Sequence, residues 1–547
     1  MARLVLGPLL RHTSDREATI WVETDSPCEV QVLDCRDRTF EIAGHHYALA
    51  CVKGLEPGRT YEYEVRLDGD KVWPEPGSQF PPSVIRTYAD GAPFRLMFGS
   101  CRVGYPHEEP YVQPSDESKE GREVDALYAL ALRMKGTPSE EWPHALVLLG
   151  DQMYADEVSP ATQEFIRSRR DPSKPPGYQV ADFEEYTRLY WESWGDPVIR
   201  WLLSTVATCM VFDDHDVHDD WNTSQAWRDE YRAKPWWRSR ITGAYMSYWI
   251  YQHLGNLASE HLGTDEVYDR VMRSDEPTRV LYEFAVRADE SPDGAQWSYR
   301  RDFSGNLRLV MIDSRGGRLL EENERSMVDE DEWQWIEGEA TGGFDHLLIG
   351  TSLPLLLAPG MHHLEAWNEA VCAGAWGRRA AREGEKIRQG LDLEHWAAFQ
   401  RSFRRLVKLV EDVGAGRKGE PPSTVLTLSG DVHHAYIADV AFPKGSGVRS
   451  RVHQLVCSPF RNPLNRRERA AVNLAMTKPF GRLARALARS AGVEDPPIRW
   501  RIDDHWFDNQ VASLEFEGPS VNFKLEKTTP EDWPHPKLET VMERRLA

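Results

Sequence analysis

The chain has 547 residues, of which 41% are hydrophobic and 28% charged, and this is the composition of a globular protein long enough for two or three domains. Its formal net charge of −21 excludes an extended nucleic-acid surface, because affinity for a polyanion requires clustered cations. A small phosphate ester stays compatible with this charge, since cations held by carboxylates reverse the local sign.

The cysteines and the N-terminus indicate the compartment. Seven cysteines, an odd number without a CxxC pair, are typical of free thiols in a reducing compartment. The short apolar N-terminal stretch is interrupted by Gly7, Pro8, Arg11 and His12, and no small-residue cleavage site follows a long apolar core. We therefore expect no secretory signal, no twin-arginine leader and no membrane span, and we predict a cytoplasmic protein.

Residues 1 to about 88 carry short runs of β-branched and aromatic residues between turn signals. Strands are predicted at residues 18–22, 29–33, 47–52 and 61–67. This spacing predicts a small all-β sandwich that resembles a fibronectin type III or immunoglobulin-like module. We expect this domain to span residues 1–90, with a proline- and glycine-rich linker at 73–82, and a second domain to span residues 91–547. No cluster of reactive side chains in the first domain indicates chemistry.

From Phe94 onward, apolar runs alternate with helical stretches, and several runs stop directly at residues that bind metal or phosphate. These runs lie at residues 96–101, 145–156, 210–215, 309–315, 347–352, 425–433 and 455–458. Buried strands have this pattern when they deliver polar groups to the carboxyl edge of a sheet. The recurrence predicts an α/β or sandwich enzyme whose site lies beyond the carboxyl ends of its strands.

Two later stretches predict helices. Residues 238–254 are rich in aromatic side chains, and Gly255 is the predicted C-terminal cap. Residues 393–413 carry an apolar stripe behind Asp392 as the predicted N-cap. The stripe, which we interpret as core, consists of Trp396, Phe399, Phe403, Leu406 and Val410.

Two polar segments are candidates for lids. Residues 167–177 form an insert or a lid loop. Residues 461–489 are locally basic, which predicts either a solvated helix face or a lid that contacts phosphate.

The stretch 145–156, ALVLLGDQMYAD, is the first candidate metal site. Asp151 follows the apolar run as a hard oxygen donor, and Tyr154 can turn back toward the same point. The alternative is that Asp151 caps a helix and Tyr154 only packs. Cys101 ends a neighbouring run and is either a small core residue or, as a thiolate, a ligand for iron or zinc.

The stretch 210–222, MVFDDHDVHDDWN, concentrates aspartates and histidines behind another apolar run. Carboxylates suit calcium, magnesium or manganese, and a histidine can bind metal or act as an acid. The most economical assignment makes Asp214 a metal ligand and His215 the acid that protonates the leaving group, with Asp216 orienting His215. A solvated surface loop is the alternative.

The stretch 429–434, SGDVHH, follows a further run. Asp431 and His433 alternate, so in extended backbone both side chains point to one side and can bind one centre. The alternative is a polar turn with one satisfied histidine.

Four of these blocks together resemble the signature of the PhoD-like alkaline phosphatases, which are metallophosphatases distantly similar to purple acid phosphatases and calcineurin-like esterases. The blocks are FGSCR at 98–102, GDQMYAD at 150–156, DDHDV at 213–217 and SGDVHH at 429–434. The resemblance covers essentially the whole chain. It implies an α+β fold with a four-layer αββα core behind the small β-sandwich, and hydrolysis of phosphomonoesters and phosphodiesters.

The resemblance also implies metal ligands. It implies an iron (Fe3+) held by four residues: Cys101, Asp151, Tyr154 and Asp431. Asp151 would bridge to a second cation that Asp214 and His433 help to hold. Calcium is implied beside the iron, with manganese, magnesium or zinc as alternatives. An asparagine–histidine pair of the wider calcineurin-like pattern lies where Asp214 and His215 stand, which supports His215 as the acid.

The sequence departs from the family pattern after the third block. Asp216 stands where the family has glutamate, and the continuation leaves open which of four residues contact an additional calcium: His218, Asp219, Asp220 and Asn222. Arg102, beside Cys101, is predicted to hold phosphoryl oxygens, with a salt bridge as the alternative.

The leading hypothesis is a phosphoric ester hydrolase that attacks a small-molecule phosphate ester with a metal-activated hydroxide at a di- or trinuclear site. One alternative is a metallohydrolase that acts on another ester. The other is a non-catalytic binding or scaffold protein that uses the β-sandwich. The presence of every expected donor favours the hydrolase.

Overall fold

Two β-sheets packed face to face form the centre of this computed structural model, which describes residues 1–304 and 306–547. The strands are β1 Leu4–Thr13, β2 Glu17–Thr24, β3 Glu29–Val32, β4 Cys35–Arg38, β5 Phe40–Ile42, β6 His45–Lys53, β7 Thr60–Glu62, β8 Val65–Leu67, β9 Asp70–Trp73, β10 Val84–Arg86, β11 Phe94–Gly99, β12 Ala145–Leu149, β13 Ala207–Val211, β14 Tyr299–Phe303, β15 Leu307–Ile312, β16 His346–Thr351, β17 Thr424–Ser429, β18 Ala435–Ala441, β19 Arg451–Val456, β20 Arg499–Trp506, β21 Gln510–Glu517, β22 Ser520–Lys527 and β23 Glu539–Arg545. The helices are α1 Ala126–Lys135, α2 Pro160–Arg169, α3 Phe183–Trp194, α4 Pro197–Thr205, α5 Gln225–Arg232, α6 Trp237–Ser247, α7 Ser259–Leu262, α8 Glu266–Arg273, α9 Pro277–Glu290, α10 Glu330–Glu339, α11 Pro359–Cys372, α12 Arg378–Gly390, α13 Gln400–Gly414, α14 Arg466–Ala475 and α15 Lys478–Ser490.

The order of strands sets the layers. The first central sheet has the order β13-β12-β11-β21-β22-β23, and the second has the order β14-β15-β16-β17-β19-β18-β20. The strands β11, β12 and β13 are mutually parallel, as are β15, β16, β17 and β19. Their carboxyl ends therefore meet at one edge of each sheet, which is where the sequence analysis expected chemistry.

Alternation along the strands explains why both faces of each sheet are covered. On β12, Leu146 and Leu148 pack under α1, α3, α4 and α6, while Val147 and Leu149 face the second sheet. On β15, Val310 packs under α10 and α13 in the same way, and its neighbours face the first sheet. A run that is apolar at every position suits a strand buried on both faces. The predicted four-layer αββα core is confirmed.

The N-terminal strands form separate small sheets, with the orders β1-β2-β6-β5 and β4-β3-β8-β9, beside the pair β7 and β10. The predicted strands at 18–22 and 47–52 fall within β2 and β6. The one at 29–33 corresponds to β3, which ends one residue earlier at Val32, and 61–67 is divided between β7 and β8. The strand β1 was not predicted, because its apolar stretch was considered only as a possible signal sequence.

The N-terminal sheets share a core with the helical layer. Leu9, Trp21 and Tyr47 belong to the same buried cluster as the side chains of α3 and α6. Arg11 on β1 is fully buried and donates to the carbonyl oxygens of Tyr251 at 2.5 Å and Gln252 at 2.7 Å. Such buried contacts join the N-terminal sheets to the helical layer that covers the first central sheet.

Two predicted helix ends were wrong. The helix predicted at 238–254 is α6, which ends at Ser247 and continues as a π-helical turn, Tyr248–His253, and a 3-10 turn, Leu254–Asn256. Gly255 is not its cap. A Cβ atom at Gly255 would lie 2.5 Å from Cζ of Arg11, so glycine is needed there for close approach.

The helix predicted at 393–413 is shorter than expected. It consists of a 3-10 turn, Trp396–Ala398, and α13, which begins after Phe399 without a side-chain cap. Asp392 has a positive φ of 49° and does not cap the helix. The predicted apolar stripe is fully buried against the second sheet, so its interpretation as core is confirmed.

His45 on β6 links the N-terminal sheet to α3 and predicts a pH-dependent stability. Its Nδ1 lies 2.8 Å from Oε1 of Glu23, and its Nε2 lies 2.9 Å from Oε2 of Glu184. Burial lowers the pKa of His45, but the two carboxylates outweigh burial and raise it to about 9. Because this pKa exceeds that of the unfolded chain, the bridge stabilises the fold fully below about pH 6.5 and is lost as the pH rises through 9.

We therefore expect His45→Gln to lower the thermal midpoint by about 1 to 3 °C at pH 6 and to have little effect at pH 9.5, as measured by scanning calorimetry. His46→Gln, which changes the opposite face of the same strand, is the matched control. An equal loss of stability at both pH values would contradict the protonated bridge.

A candidate metal centre between the two sheets

The loops that follow the parallel strands of both sheets are hydrogen-bonded to one another. After β11, the backbone N–H of Cys101 donates to the carbonyl oxygen of Gly150 behind β12 at 3.3 Å. Across the sheets, the N–H of Asp431 donates to Oγ of Ser100 at 3.0 Å. A Cβ atom at Gly430 would lie 2.0 Å from that Oγ, so the close approach of the two loops requires glycine.

Four of the predicted ligands sit in a left-handed backbone conformation. The φ values are 55° at Cys101, 50° at Asp151, 66° at Asp431 and 50° at His433. Each such residue stores about 1 to 3 kcal/mol of strain, which is typical of functional sites. The backbone around Asp431 is therefore a turn, and the expectation of an extended segment there was wrong.

The first donor cluster lies around Asp151. Its Oδ2 is 3.3 Å from Sγ of Cys101 and 3.4 Å from the hydroxyl of Tyr154. Cys101, Asp151 and His433 each offer a ligand atom within 4.8 Å of the others. Burial and the nearby Asp151 raise the pKa of the Cys101 thiol and of the Tyr154 hydroxyl well above their ordinary values. Only a cation at this point would favour their ionised forms.

The second donor cluster shares Asp151 with the first. Asp151, Asp213 and Asp214 offer oxygens within 4.8 Å of one another, and all three are buried. Oδ1 of Asp151 and Oδ2 of Asp213 have no hydrogen-bond partner. Burial, with the neighbouring carboxylates, raises the pKa of Asp151 well above its ordinary value. Orphaned carboxylate oxygens of this kind fit a divalent or trivalent cation.

Arg315, at the end of β15, partly compensates these charges. It is fully buried and forms an ion pair with Oδ1 of Asp213. Its Nη2 lies 3.1 Å from Oδ1 of Asp214 and 3.6 Å from Oδ1 of Asp431. The predicted strand at 309–315 ended at this arginine, but the sequence analysis gave it no role.

The carboxylate of Asp431 is held by a histidine that the sequence analysis missed. Nε2 of His395 lies 2.9 Å from Oδ2 of Asp431, and its Nδ1 lies 2.7 Å from Oε1 of Glu365. Cys101 contacts the backbone of Asp431 rather than its carboxylate, and its Sγ lies 3.6 Å from the carbonyl oxygen of Asp431. No local motif surrounds His395, so only the fold brings it here.

His215 lies at the border of the two clusters. Its Nδ1 is 3.0 and 3.1 Å from the two carboxylate oxygens of Asp156, and its ring stacks on Tyr154 at a centroid distance of 4.6 Å. Burial lowers the pKa of His215, but Asp156 and Asp214 outweigh it and raise that pKa well above the ordinary value. The pair with Asp156 therefore favours the protonated form that a general acid needs.

Asp216 does not orient His215, so that expectation was wrong. Its carboxylate accepts the backbone N–H groups of Asp151 and Asp213, both at 2.9 Å, and of Met153 at 3.2 Å. Gln252 donates to it at 3.2 Å. Asp216 thus fixes the two loops that carry the carboxylates, and Arg11 of the N-terminal sheet holds the backbone of Gln252 in turn.

The structure does not bring the guanidinium of Arg102 to the clusters. Its Nε donates to Oδ2 of Asp125 at 2.7 Å, and its Nη1 donates to the carbonyl oxygen of Ser193 at 2.8 Å. Arg102 therefore forms a salt bridge, which was the alternative to a phosphate-binding role, and this salt bridge is buried.

A cavity of about 410 Å3 opens over the clusters. Of the four residues left open after the third block, Asp219 and Asp220 line it. His218 instead lies with Nδ1 2.8 Å from the carbonyl oxygen of Asp219, and Asn222 donates to the carbonyl oxygen of Arg315 at 3.0 Å. The donor side of the cavity is lined by Asp151, Asp214, His215, Asp219, Asp220, Asp392, Glu394, His395, Asp431 and His433.

A two-sheet core with clustered carboxylate, histidine, cysteine and tyrosine donors at its edge defines a metallophosphatase. A family model described as PhoD-like phosphatase matches residues 133–479, and the chain therefore belongs to the PhoD-like phosphatase family. The protein is thus a metal-dependent phosphoester hydrolase. A second family model, for a domain of unknown function (DUF7800), matches residues 1–85, so the fibronectin-like assignment of that region is not confirmed.

The fold is similar to two solved phosphatases. One, described as "Structure of PhoD", aligns with a TM-score of 0.59 and 12% identity over 99% of this chain and 92% of that chain. The other is purple acid phosphatase PPD1 from yellow lupin (Lupinus luteus) seeds, with a TM-score of 0.50 and 10% identity over 98% of this chain and 73% of that chain. Among curated proteins, no relative matches the sequence. In the described part of the chain, none of the helices has both the length and the apolar character that a bilayer crossing requires.

The contacts of Asp216 generate a prediction. We expect Asp216→Ala to leave three buried N–H groups without an acceptor and to lower both the thermal midpoint and the amount of metal retained after dialysis. The stability loss should be about 3 kcal/mol or more, because several charge-assisted hydrogen bonds are removed at once. Asp15→Ala on the exposed turn after β1 is the control. Unchanged metal retention in a folded Asp216→Ala protein would show that the loops hold their positions without it.

Proposed function

We propose that this enzyme hydrolyses phosphodiesters in preference to phosphomonoesters, at a site that holds at least two cations. The observation that supports this is the pair of donor clusters that share Asp151. We infer that Cys101, Tyr154 and His433 complete an iron site on one side of Asp151. His433 takes the place of Asp431 in the set that the resemblance implied, because it offers a ligand atom close to Cys101 and Asp151, whereas the carboxylate of Asp431 is bound by His395. Asp213 and Asp214 would complete a site for calcium, or for manganese, magnesium or zinc, on the other side.

The charge of the cavity supports diesters over monoesters. Among the described residues that line it, the charged side chains are carboxylates and histidines, with no lysine or arginine. A monoester is a dianion near neutral pH, whereas a diester carries one negative charge. Asp219, Asp220, Asp392 and Glu468 line the cavity without being assigned to a cation, and the extra charge of a monoester meets more repulsion from them.

The residues of the chain would act in defined roles. When bound, the cations would lower the pKa of the attacking water and neutralise charge on the phosphoryl oxygens. Asp156 accepts the Nδ1 proton of His215, which leaves the Nε2 proton for the oxygen of the departing alcohol. Asp219 lies 3.7 Å from that Nε2 and is exposed, so it can pass a replacement proton from solvent.

We also propose the cytoplasm as the location. All seven cysteines are free thiols in the structure. Cysteines at seven positions without a disulfide are typical of a reducing compartment.

The proposed metal site is tested by the metal content, the visible absorption spectrum and the hydrolytic activity of the purified protein. We expect purified protein to contain iron, to show a visible charge-transfer band and to hydrolyse bis-(p-nitrophenyl) phosphate faster than p-nitrophenyl phosphate, with both rates lost in chelator. Tyr154→Phe should remove or shift the band, and Cys101→Ser should lower iron content, whereas Tyr105→Phe should change neither. Protein that is metal-free and inactive after addition of iron, calcium, manganese, magnesium and zinc would refute the proposal.

The role of His215 is tested through the leaving group. We expect His215→Asn to reduce kcat for phenyl methyl phosphate by about 10²- to 10⁴-fold, because phenolate needs a proton to depart. For p-nitrophenyl methyl phosphate, whose leaving group is far more acidic, the loss should be much smaller. His218→Asn, in the same segment but outside the cavity lining, is the control. Equal losses for both substrates would assign His215 to metal binding or positioning instead.

A further inference from the structure

The cavity over the metal centre has two chemically different walls. Opposite the carboxylates and histidines lies an apolar wall, formed by Leu357, Ala358, Met361, Leu464, Val472 and Ala475. These side chains come from the loop after β16, the start of α11, the segment before α14 and the helix α14. The sequence analysis considered residues 461–489 as a possible lid that contacts phosphate, but it did not predict an apolar wall.

The apolar wall is held in place from behind. The carbonyl oxygen of Leu356 accepts from the hydroxyl of Tyr436 at 2.7 Å and from Gln454 at 2.6 Å. The carbonyl oxygen of Leu357 accepts from Nε1 of Trp500 at 2.8 Å. Because the polar backbone groups of the loop are satisfied on the buried side, the surface that it presents to the cavity is apolar.

The helix α14 presents apolar side chains and one carboxylate, Glu468, to the cavity although its sequence is basic. Arg466 is directed to Asp116, with Nε 2.7 Å from Oδ2, and Arg469 donates to the carbonyl oxygen of Leu464 at 2.8 Å. Val472 and Ala475 line the cavity instead. The basic segment is thus a lid over the site, but not one that offers its cations to phosphate.

The cavity therefore recognises more than a phosphoryl group. An anionic substituent on the substrate would find no lysine or arginine on the lining described above, and a strongly polar one would lose its hydration against the apolar wall. An alkyl or aryl substituent would bury apolar surface there, and this burial is favourable.

We propose that the substrates are phosphodiesters in which one ester substituent is an alkyl or aryl group that lies against the apolar wall while the phosphoryl group lies at the metal centre. This inference rests on the proposed function and adds the substrate class to it. In the reaction, water adds its oxygen to phosphorus, the bond from phosphorus to the leaving alcohol breaks, and the alcohol departs with a proton.

The test measures how binding depends on the length of the substituent. Methyl alkyl phosphates, from dimethyl to methyl octyl, compete with bis-(p-nitrophenyl) phosphate on the metal-loaded enzyme, below their micelle concentrations. We expect each added methylene to lower Ki by about twofold to fourfold until the wall is covered. A chain of equal length that ends in a carboxylate should bind more weakly than its apolar counterpart.

A matched pair of variants on α14 assigns the effect to the wall. Val472→Asn should reduce the gain in affinity per methylene, because Val472 lines the cavity. Leu474→Asn should leave the gain and the hydrolysis rate unchanged, because Leu474 is 57% exposed and outside the cavity lining. An equal effect of both variants would point to general damage to α14 and would overturn the assignment.

The outcomes separate this inference from the proposed function. Hydrolysis with a Ki that does not depend on chain length would overturn the apolar-wall inference and leave the phosphodiesterase intact. If the protein hydrolyses nothing with any metal, calorimetric titration with methyl octyl phosphate decides instead. The inference is supported if methyl octyl phosphate binds more tightly than dimethyl phosphate and if Val472→Asn weakens the binding of methyl octyl phosphate. It is refuted if methyl octyl phosphate does not bind or if neither difference is found.

Discussion

The burial of several carboxylates at the meeting point of two sheets is the constraint on which the rest of this site depends. Asp151, Asp213 and Asp214 are within a few ångströms of one another, and three of their oxygens have no hydrogen-bond partner. Buried like charges are strongly unfavourable without compensation. Arg315 and His395 supply part of the compensating positive charge, and bound cations would supply the remaining positive charge.

The surrounding structure must also hold these carboxylates against backbone strain. Left-handed conformations at Cys101, Asp151 and Asp431 are stabilised by the contacts between the loops of the two sheets. Asp216 binds the backbone of two of those loops, and it is itself held by Gln252. The chain of contacts continues to Arg11 on the first strand, so the N-terminal sheets support the metal centre although none of their residues lines the cavity.

The two walls of the cavity would contact different parts of a substrate. The donor wall fits cations and, through them, any phosphoryl group, which is why a shared fold at 12% identity is compatible with different substrates. The opposite wall is built mainly from apolar side chains of the loop after β16, α11, α14 and the segment before α14, with Glu468 as the charged residue that α14 contributes. Under the proposed function, selectivity among phosphodiesters would therefore depend on that wall more than on the metal ligands.

The sequence by itself determined the strands that matter and the donors that follow them. An apolar run that stops at Cys101, Asp151 or Asp214 is a local pattern, and the strand period makes its consequence predictable. Partners of those donors were decided by tertiary structure alone. His395 contacts Asp431 although the two are 36 residues apart in the sequence, and Arg315 contacts Asp213 although the two are 102 residues apart. The helix ends at Gly255 and Asp392 were also misjudged, because packing against Arg11 and the curvature of the site loop override local capping signals. Local patterns determine where a strand delivers a side chain, whereas only the packing of distant segments decides what that side chain meets.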